Sequence, residues 1–249
     1  MKQFVLPHHS PEEGLMRLSG RDFHYLCRVR RLGPEDSFPA LGPDGRHFHC
    51  TVESVGLDHV EVRVISRGGP DANAAHITLY QCLPKARKLD EVIRKCTEAG
   101  VAEVVPVESD HAVVRIEPEA RASKLDRWRR VAREAVQQSG SPIPVTIHEP
   151  IAIDAVGLSE DADALRLFLH QEPLEQQSLH GYLARSPRRI VIIVGPEGGL
   201  SARETQLLLK REFRPVYLGS QVLRTETAAL YAVAAIRTIL MERSSWMLN

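Results

Sequence analysis

At 249 residues and 43% hydrophobic content, the chain is long enough for one large domain or two ordinary ones and apolar enough to fold as a globular protein. Its 32 basic and 32 acidic residues cancel, so no global charge argues for nucleic acid, although a local basic face is enough to bind one. No run approaches the roughly 20 apolar residues of a membrane span, and no basic, apolar and small-residue signal opens the chain, so a cytoplasmic protein without membrane contact is expected.

Residues 1–70 read as a small β-rich unit. "QFVL", "RHFHCTVESV" and "HVEVRVIS" alternate as strands do, with "GPEDS" and "GPDG" as turns. Between them "RDFHYLCRVRRLG" reads as a short helix or irregular segment that gathers Arg28, Arg30 and Arg31. "RGGPDAN" (67–73) concentrates turn formers without an apolar anchor and is the linker candidate. The four cysteines, Cys27, Cys50, Cys82 and Cys96, are widely separated and read as small buried apolar residues rather than ligands. His8, His9, His47 and His49 are too sparse for a metal site, so no metal is expected.

From residue 74 to 249 the pattern changes to alternating strands and helices. "HITLYQCL" precedes a segment in which Leu89, Val92, Ile93 and Cys96 share one helical face. "VAEVVPVES" is the next strand, and "SKLDRWRRVAREAVQQSG" an amphipathic helix stopped by Gly140. "ALRLFLHQ", "RRIVIIVG" and "PVYLGS" are further strands, and a last helix runs from about Thr225 to Met241. Such alternation predicts an α/β domain with a mostly parallel sheet.

Two loops of this half carry the chemistry. In "VGPEGGLSARE" a short, continuous apolar strand exits through Gly195, Pro196, Glu197, Gly198 and Gly199; Ser201 and Glu204 form a capping-box pattern that starts a helix at Ala202. Glycines permit positive φ and close approach of a ligand to backbone, and ligands bind at the carboxyl ends of parallel strands. A plain tight turn is the competing reading. In "LGSQVLRTETAAL" a strand, Val216 to Leu218, ends in Gly219, and a helix apolar round most of its circumference follows, as expected for burial in a large core or against another subunit. Arg224 at that helix start opposes the macrodipole, which points either to an anionic group nearby or to an ion pair with Glu226 or another acid. Lys85, Arg87 and Lys88 repeat the pattern before the helix after "YQCLP", either as phosphate contacts or as a solvated charge run.

The paired loops "VGPEGGLSARE" and "LGSQVLRTETAAL" resemble those of the 16S ribosomal RNA uridine-N3 methyltransferase family, a branch of the SPOUT superfamily. "CLPKARKLDEVIRKCTEAGVAEVVPVESD" is similar to the family's earlier segment, and the arginine-bearing "HYLCRVRRLG" to its PUA-like RNA-binding domain. The resemblance covers nearly the whole chain. It implies a trefoil-knotted α/β methyltransferase domain behind a small PUA-like β-barrel, S-adenosylmethionine as methyl donor, a homodimer, and 16S rRNA or the small ribosomal subunit as partner.

Carried over residue by residue, the cofactor contacts are Gly195, Pro196, Glu197, Gly198 and Gly199, then Leu218, Gly219, Ser220, Val222, Leu223 and Arg224, with a third contact near Leu169 and His170. Arg224 is the expected catalytic side chain, and Glu197 and Glu226 are candidate bases. Arg28, Arg30, Arg31, Lys85, Arg87 and Lys88 are expected on RNA phosphates. Two positions depart from the family pattern: this chain has Ser109-Asp110-His111 and Gln138-Ser139-Gly140-Ser141 where the family usually places an arginine at the third and fourth residue respectively. They motivate a second reading, an RNA-binding SPOUT protein with lost or retargeted methylation. A phosphate-binding hydrolase lacks the Lys-Ser/Thr of a P-loop.

Overall fold

In the computed structural model, residues 2–7, 13–69, 74–157 and 163–243 are described, and the chain divides into two units. The first takes in Met1–Ala72 and Val136–Pro144, the second Asn73–Ala135 and Val145–Asn249. His8 and His9 and the 70–73 part of the linker candidate lie outside the described residues.

The alternating segments of the first unit form a five-stranded sheet of β1 (Phe4–Val5), β2 (Gly14–Ser19), β3 (Ser37–Leu41), β4 (His47–Val55) and β5 (His59–Gly68), ordered β1-β3-β4-β5-β2. Every second residue of the β4–β5 hairpin turns inward: Phe48, Cys50 and Val52 pack with Val60, Val62 and Val64 in one core. Arg67 and Gly68, expected in the linker, belong to β5. Two strands escape the sequence reading. β2 is short and carries Arg17, while β3 contains Pro39, which counts against a strand but here falls outside the two-residue pairing with β1. Gln3 Nε2 donates to the Ser141 carbonyl at 2.6 Å, which ties the start of the chain to Val136–Pro144.

The segment "RDFHYLCRVRRLG" folds as α1 (Gly20–Phe23) running into one π-helical stretch, His24–Val29, closed by Arg30 N–H on the Tyr25 carbonyl at 2.9 Å. Such i→i+5 stretches are rare and concentrate at functional sites. Phe23 and Leu26 are buried beneath it, Arg28 lies 5.7 Å over the Phe23 ring, and Arg28 and Arg31 are exposed while Arg30 is half-buried.

The second unit is built on a parallel sheet. Its elements are β6 (His76–Cys82), α2 (Lys88–Glu98), β7 (Glu103–Glu108), α3 (Pro118–Ser139), β8 (Thr146–Ile147), β9 (Ile151–Ala152), β10 (Leu165–Leu169), α4 (Leu179–Tyr182), β11 (Arg189–Val194), α5 (Ala202–Lys210), β12 (Arg214–Val216) and α6 (Thr225–Arg243). The strand order is β12-β10-β11-β6-β7-β8, with β9 also on β7, and every pairing is parallel. β11 is interior and buried from Ile190 to Val194, as its unbroken apolar sequence predicts. The strand before the second loop is Arg214–Val216, two residues earlier than the expected Val216 to Leu218, so Tyr217 and Leu218 already belong to the loop.

Both faces of this sheet are covered. On one, Leu89, Val92, Ile93 and Cys96 of α2 pack with Leu125, Trp128 and Ala132 of α3 and with Ala229, Ala232, Val233, Ile236 and Ile239 of α6. On the other, Leu208 of α5 and Phe213 pack on Tyr80, Val105, Phe168, Val191 and Ile193. The helix α6 is apolar round most of its circumference, yet only one side is buried; Tyr231 and Met241 stay about half exposed. Cys50, Cys82 and Cys96 are buried as expected, and burial pushes their thiols up to about 12, while Cys27 is partly exposed.

Candidate functional site

Two glycine-bearing loops leave adjacent parts of the sheet at the carboxyl ends of β11 and β12, and a third segment leaves β10. They enclose a cavity of about 430 Å³. Of the expected cofactor residues, Leu169, His170, Gly195, Pro196, Glu197, Gly198, Gly199, Leu218, Gly219, Val222 and Leu223 line it; Ser220 and Arg224 do not. Gln171, Glu172, Leu200, Thr205, Gln206, Gln221, Thr225 and Ala228 line it as well, and the sequence reading missed them. Thr205, Gln206, Thr225 and Ala228 sit on the helices behind the loops, and the other four lie in the loops beside the recognised motifs.

The first loop is a tight turn: Gly199 N–H donates to the Pro196 carbonyl at 2.9 Å. Each glycine serves a different purpose. A Cβ on Gly195 would stand 3.1 Å from the Gly199 carbonyl carbon, so the turn closes on itself too tightly for a side chain. Gly199 has φ 70°, the left-handed region that a β-branched residue avoids, and a Cβ there would meet cavity-lining Gln171 at 3.2 Å. Gly198 does not adopt a positive φ; its missing side chain makes room for His111, whose Cβ lies 3.2 Å from where a Cβ would stand.

The turn is anchored from several directions. The Glu197 carboxylate accepts the Lys85 N–H at 3.2 Å and the Lys88 ammonium at 3.0 Å. Burial raises that carboxyl, but Lys88 and the Lys85 and Glu197 N–H groups outweigh it and hold it below the usual carboxylate range. Glu197 is thus a poor base and a good anchor. Lys88 also lies 3.6 Å from Glu226 on α6, so its charge is matched inside the fold rather than offered to a phosphate. Lys85 and Arg87 are exposed and their side chains have no partner among the described residues.

Behind the turn, buried Gln81 donates to the Thr225 hydroxyl at 2.9 Å, and Thr225 donates to the Gly195 carbonyl at 2.7 Å. This chain links β6, the first loop and the start of α6. The ion pair considered for Arg224 with Glu226 is not formed; Arg224 is exposed, with no side-chain partner among the described residues.

Helix α5 opens with the full capping box: Ser201 Oγ accepts the Glu204 N–H at 3.1 Å and Glu204 accepts the Ser201 N–H at 2.7 Å. Glu204 is fully buried and accepts the Asp110 N–H as well, at 2.7 Å. Asp110 in turn accepts from Ser201 Oγ at 2.6 Å and from Arg203 at 2.9 Å. The hydrogen bonds from Arg203 and then from Ser201 hold the Asp110 carboxyl down at about 2. A lowered folded-state value means that this cluster stabilises above the ordinary carboxylate value, near 4, and ceases to do so as pH falls from there toward about 2. The pair is half exposed, so salt screens it. Urea titrations should therefore show wild type more stable than Asp110→Asn at pH 6, with the gap narrowing below about pH 4 and closing as pH falls through about 2; a constant gap would remove the carboxylate as its source.

Comparison with known proteins decides the family. The RNA methyltransferase domain family matches residues 71–237, and the RNA methyltransferase PUA domain family matches residues 18–65. The ribosomal RNA small subunit methyltransferase E of Aquifex aeolicus is 32% identical over 211 residues, 84% of this chain and 88% of the relative. The chain belongs to the ribosomal RNA small subunit methyltransferase E family. The family member of Bacillus subtilis is 28% identical over 226 residues, 88% of each chain. Its counterpart from Neisseria gonorrhoeae, solved bound to S-adenosylmethionine, superposes with a TM-score of 0.84 at 26% identity, covering 96% of this chain and 98% of that one. A Legionella pneumophila protein solved with the same cofactor gives a TM-score of 0.83 at 28% identity, covering 95% and 97%. The mixed α/β fold with its parallel sheet and PUA-like N-terminal domain is that of this methyltransferase family.

The cavity fits the family's cofactor. Its volume lies within the ordinary range for a small-molecule pocket, roughly 300 to 1,000 Å³. Its walls combine apolar Leu169, Leu218, Leu223 and Ala228 with a turn whose backbone is unscreened by side chains. That combination suits a ligand with an aromatic ring system at one end and polar groups at the other.

Proposed function

We propose that this protein transfers the methyl group of S-adenosylmethionine to N3 of a uridine in small-subunit ribosomal RNA. The observation that carries the reading is the closure of the glycine turn, the second loop and the end of β10 around one cavity in a chain of this family. When bound, the sulfonium supplies an already activated methyl group. The protein's share is alignment and charge. The turn at Pro196–Gly199 and the loop from Leu218 to Leu223 bind and orient the cofactor, and the apolar wall excludes water. Methylation at N3 requires loss of a weakly acidic proton, so negative charge develops on the uracil ring. Arg224, an exposed cation just before α6 with no side-chain partner among the described residues, is the group we assign to that charge. Glu197, already committed to Lys85 and Lys88, is not the base.

We assign residues 1–70 to RNA binding and residues 74–249 to methyl transfer. Arg28, Arg30 and Arg31 are the phosphate contacts of the first unit, with Lys85 and Arg87 in the second; Lys88 we reassign from RNA to the support of the cofactor turn. The connection between β10, β11 and β12 is read as the family's trefoil knot. A ribosomal RNA target puts the reaction in the cytoplasm.

The half-exposed large hydrophobics Tyr231 and Met241 on α6 support a C2 homodimer through that helix. Light scattering at micromolar concentration is expected to give twice the chain mass of 27.8 kDa; a monomer would remove the dimer. The function is tested by mapping modified nucleotides, by mass spectrometry, in ribosomal RNA from cells with and without the protein. One N3-methyluridine in the small-subunit RNA should disappear and return on complementation. Unchanged modification, or loss from another RNA, would refute the assignment.

A further inference from the structure

We propose that His111 is a positioning residue for the cofactor turn, locking the peptide groups of Gly198 and Gly199 from outside the cavity. The inference rests on reading that cavity as the S-adenosylmethionine site. His111 Nδ1 stands 3.1 Å from the Gly198 carbonyl oxygen and 3.2 Å from that of Gly199. Both partners are acceptors, so Nδ1 carries the proton and is shared between them. His111 does not line the cavity, and its ring is exposed. It therefore acts on the site only through the turn.

Three features make the contact more than a chance surface hydrogen bond. The ring reaches both carbonyls because Gly198 has no side chain; a Cβ there would stand 3.2 Å from His111 Cβ. The residue before it is fixed: Asp110 is bound through its N–H to buried Glu204 and through its carboxylate to Ser201 and Arg203, so the imidazole is presented from a rigid base. The consequence for the turn follows from peptide geometry. A trans peptide carries its N–H opposite its carbonyl. Holding the Gly198 carbonyl sends the Gly199 N–H the other way, where it meets the Pro196 carbonyl at 2.9 Å. Holding the Gly199 carbonyl likewise turns the N–H of Leu200, a residue of the cavity wall, away from the imidazole. Without His111 the Gly198–Gly199 peptide keeps only its N–H bond to Pro196, and the Gly199–Leu200 peptide can rotate to bring a carbonyl oxygen where its N–H stood.

The test compares full-length wild type with His111→Leu, which removes the donor, and His111→Asn, whose amide N–H stands near the place of Nδ1. Calorimetric titration with S-adenosylmethionine is expected to show binding about tenfold weaker for the leucine variant, the scale of one or two neutral hydrogen bonds, and most of that loss restored by asparagine. The KM for the cofactor should rise in parallel while kcat at saturation stays within about twofold, because the residue orders the site and takes no part in transfer. Amide exchange at Gly199 and Leu200 in ligand-free protein should quicken in the leucine variant alone. Affinity unchanged by leucine, or a loss that asparagine fails to restore, would overturn the donor role. A wild type that does not bind S-adenosylmethionine would refute the cofactor reading instead, and the exchange rates would still decide whether His111 locks the turn.

Discussion

The Arg224→Ala protein is expected to methylate ribosomal RNA roughly a hundredfold to a thousandfold more slowly than wild type in single turnover, the range for losing one preorganised transition-state contact. The argument is positional. Arg224 directly precedes α6, where the helix dipole disfavours a cation, and neither Glu226 nor any other described acid compensates it. RNA affinity should change much less, because a single phosphate contact among several is worth about one counterion in the salt dependence. Neutralising Arg28 or Arg31 should give the reverse pattern, weaker binding with a shallower salt slope and a nearly normal rate at saturation. Arg224→Lys keeps the charge but not the planar fork and should recover only part of the rate. Single-turnover assays at saturating RNA and cofactor, beside filter binding across a salt series, separate the cases. A variant that binds poorly yet methylates normally once bound would make Arg224 another phosphate contact.

Gly199→Val should strongly weaken cofactor binding while leaving the fold intact. At φ 70° a β-branched side chain is strained, and strain of this kind costs about 1 to 3 kcal/mol. The added atoms would also press on Gln171 in the cavity wall. Together these predict affinity lower by roughly tenfold to a hundredfold or more, at about 1.4 kcal/mol per decade. Gly198→Val is the informative neighbour. It has no positive φ to strain, so its cost comes from displacing His111 and from side-chain bulk at the cavity wall, and it should be smaller. Calorimetry with a thermal-unfolding control measures both; equal affinities in wild type and folded Gly199→Val would detach the turn from the cofactor.

Much of this fold is legible in residue order because its signals are local. The i, i+3, i+4, i+7 spacing of Leu89, Val92, Ile93 and Cys96 places α2, and the unbroken apolar run before Gly195 places β11. Ser201 and Glu204 mark the start of α5 to the residue. What escaped depends on distant neighbours. β2 and β3 have weak patterns and exist because they pair with β5 and β4. The two-residue strands β8 and β9 have no sequence pattern at all and are defined by β7. The same holds within the site. The glycine turn announces itself, whereas nothing in "QCLP" shows that Gln81 reaches Thr225, or in "SDH" that Asp110 and His111 clasp the turn and α5 across some ninety residues of chain. Lys88 shows the limit most plainly. By composition it joins a basic cluster, and only the fold reveals two glutamates beside it.

The anchors of the glycine turn come from four places in the chain: Lys85 and Lys88 before and in α2, Gln81 from β6, Thr225 from α6, and His111 after β7. None of them can hold the turn until β6, β7 and β11 have already come together. The binding loop is thus a keystone rather than a foundation: the last piece to seat, and ordered only in a finished arch. An unfinished or nicked chain should have no partial affinity to offer, so a half-made enzyme would neither sequester the cofactor nor modify RNA prematurely.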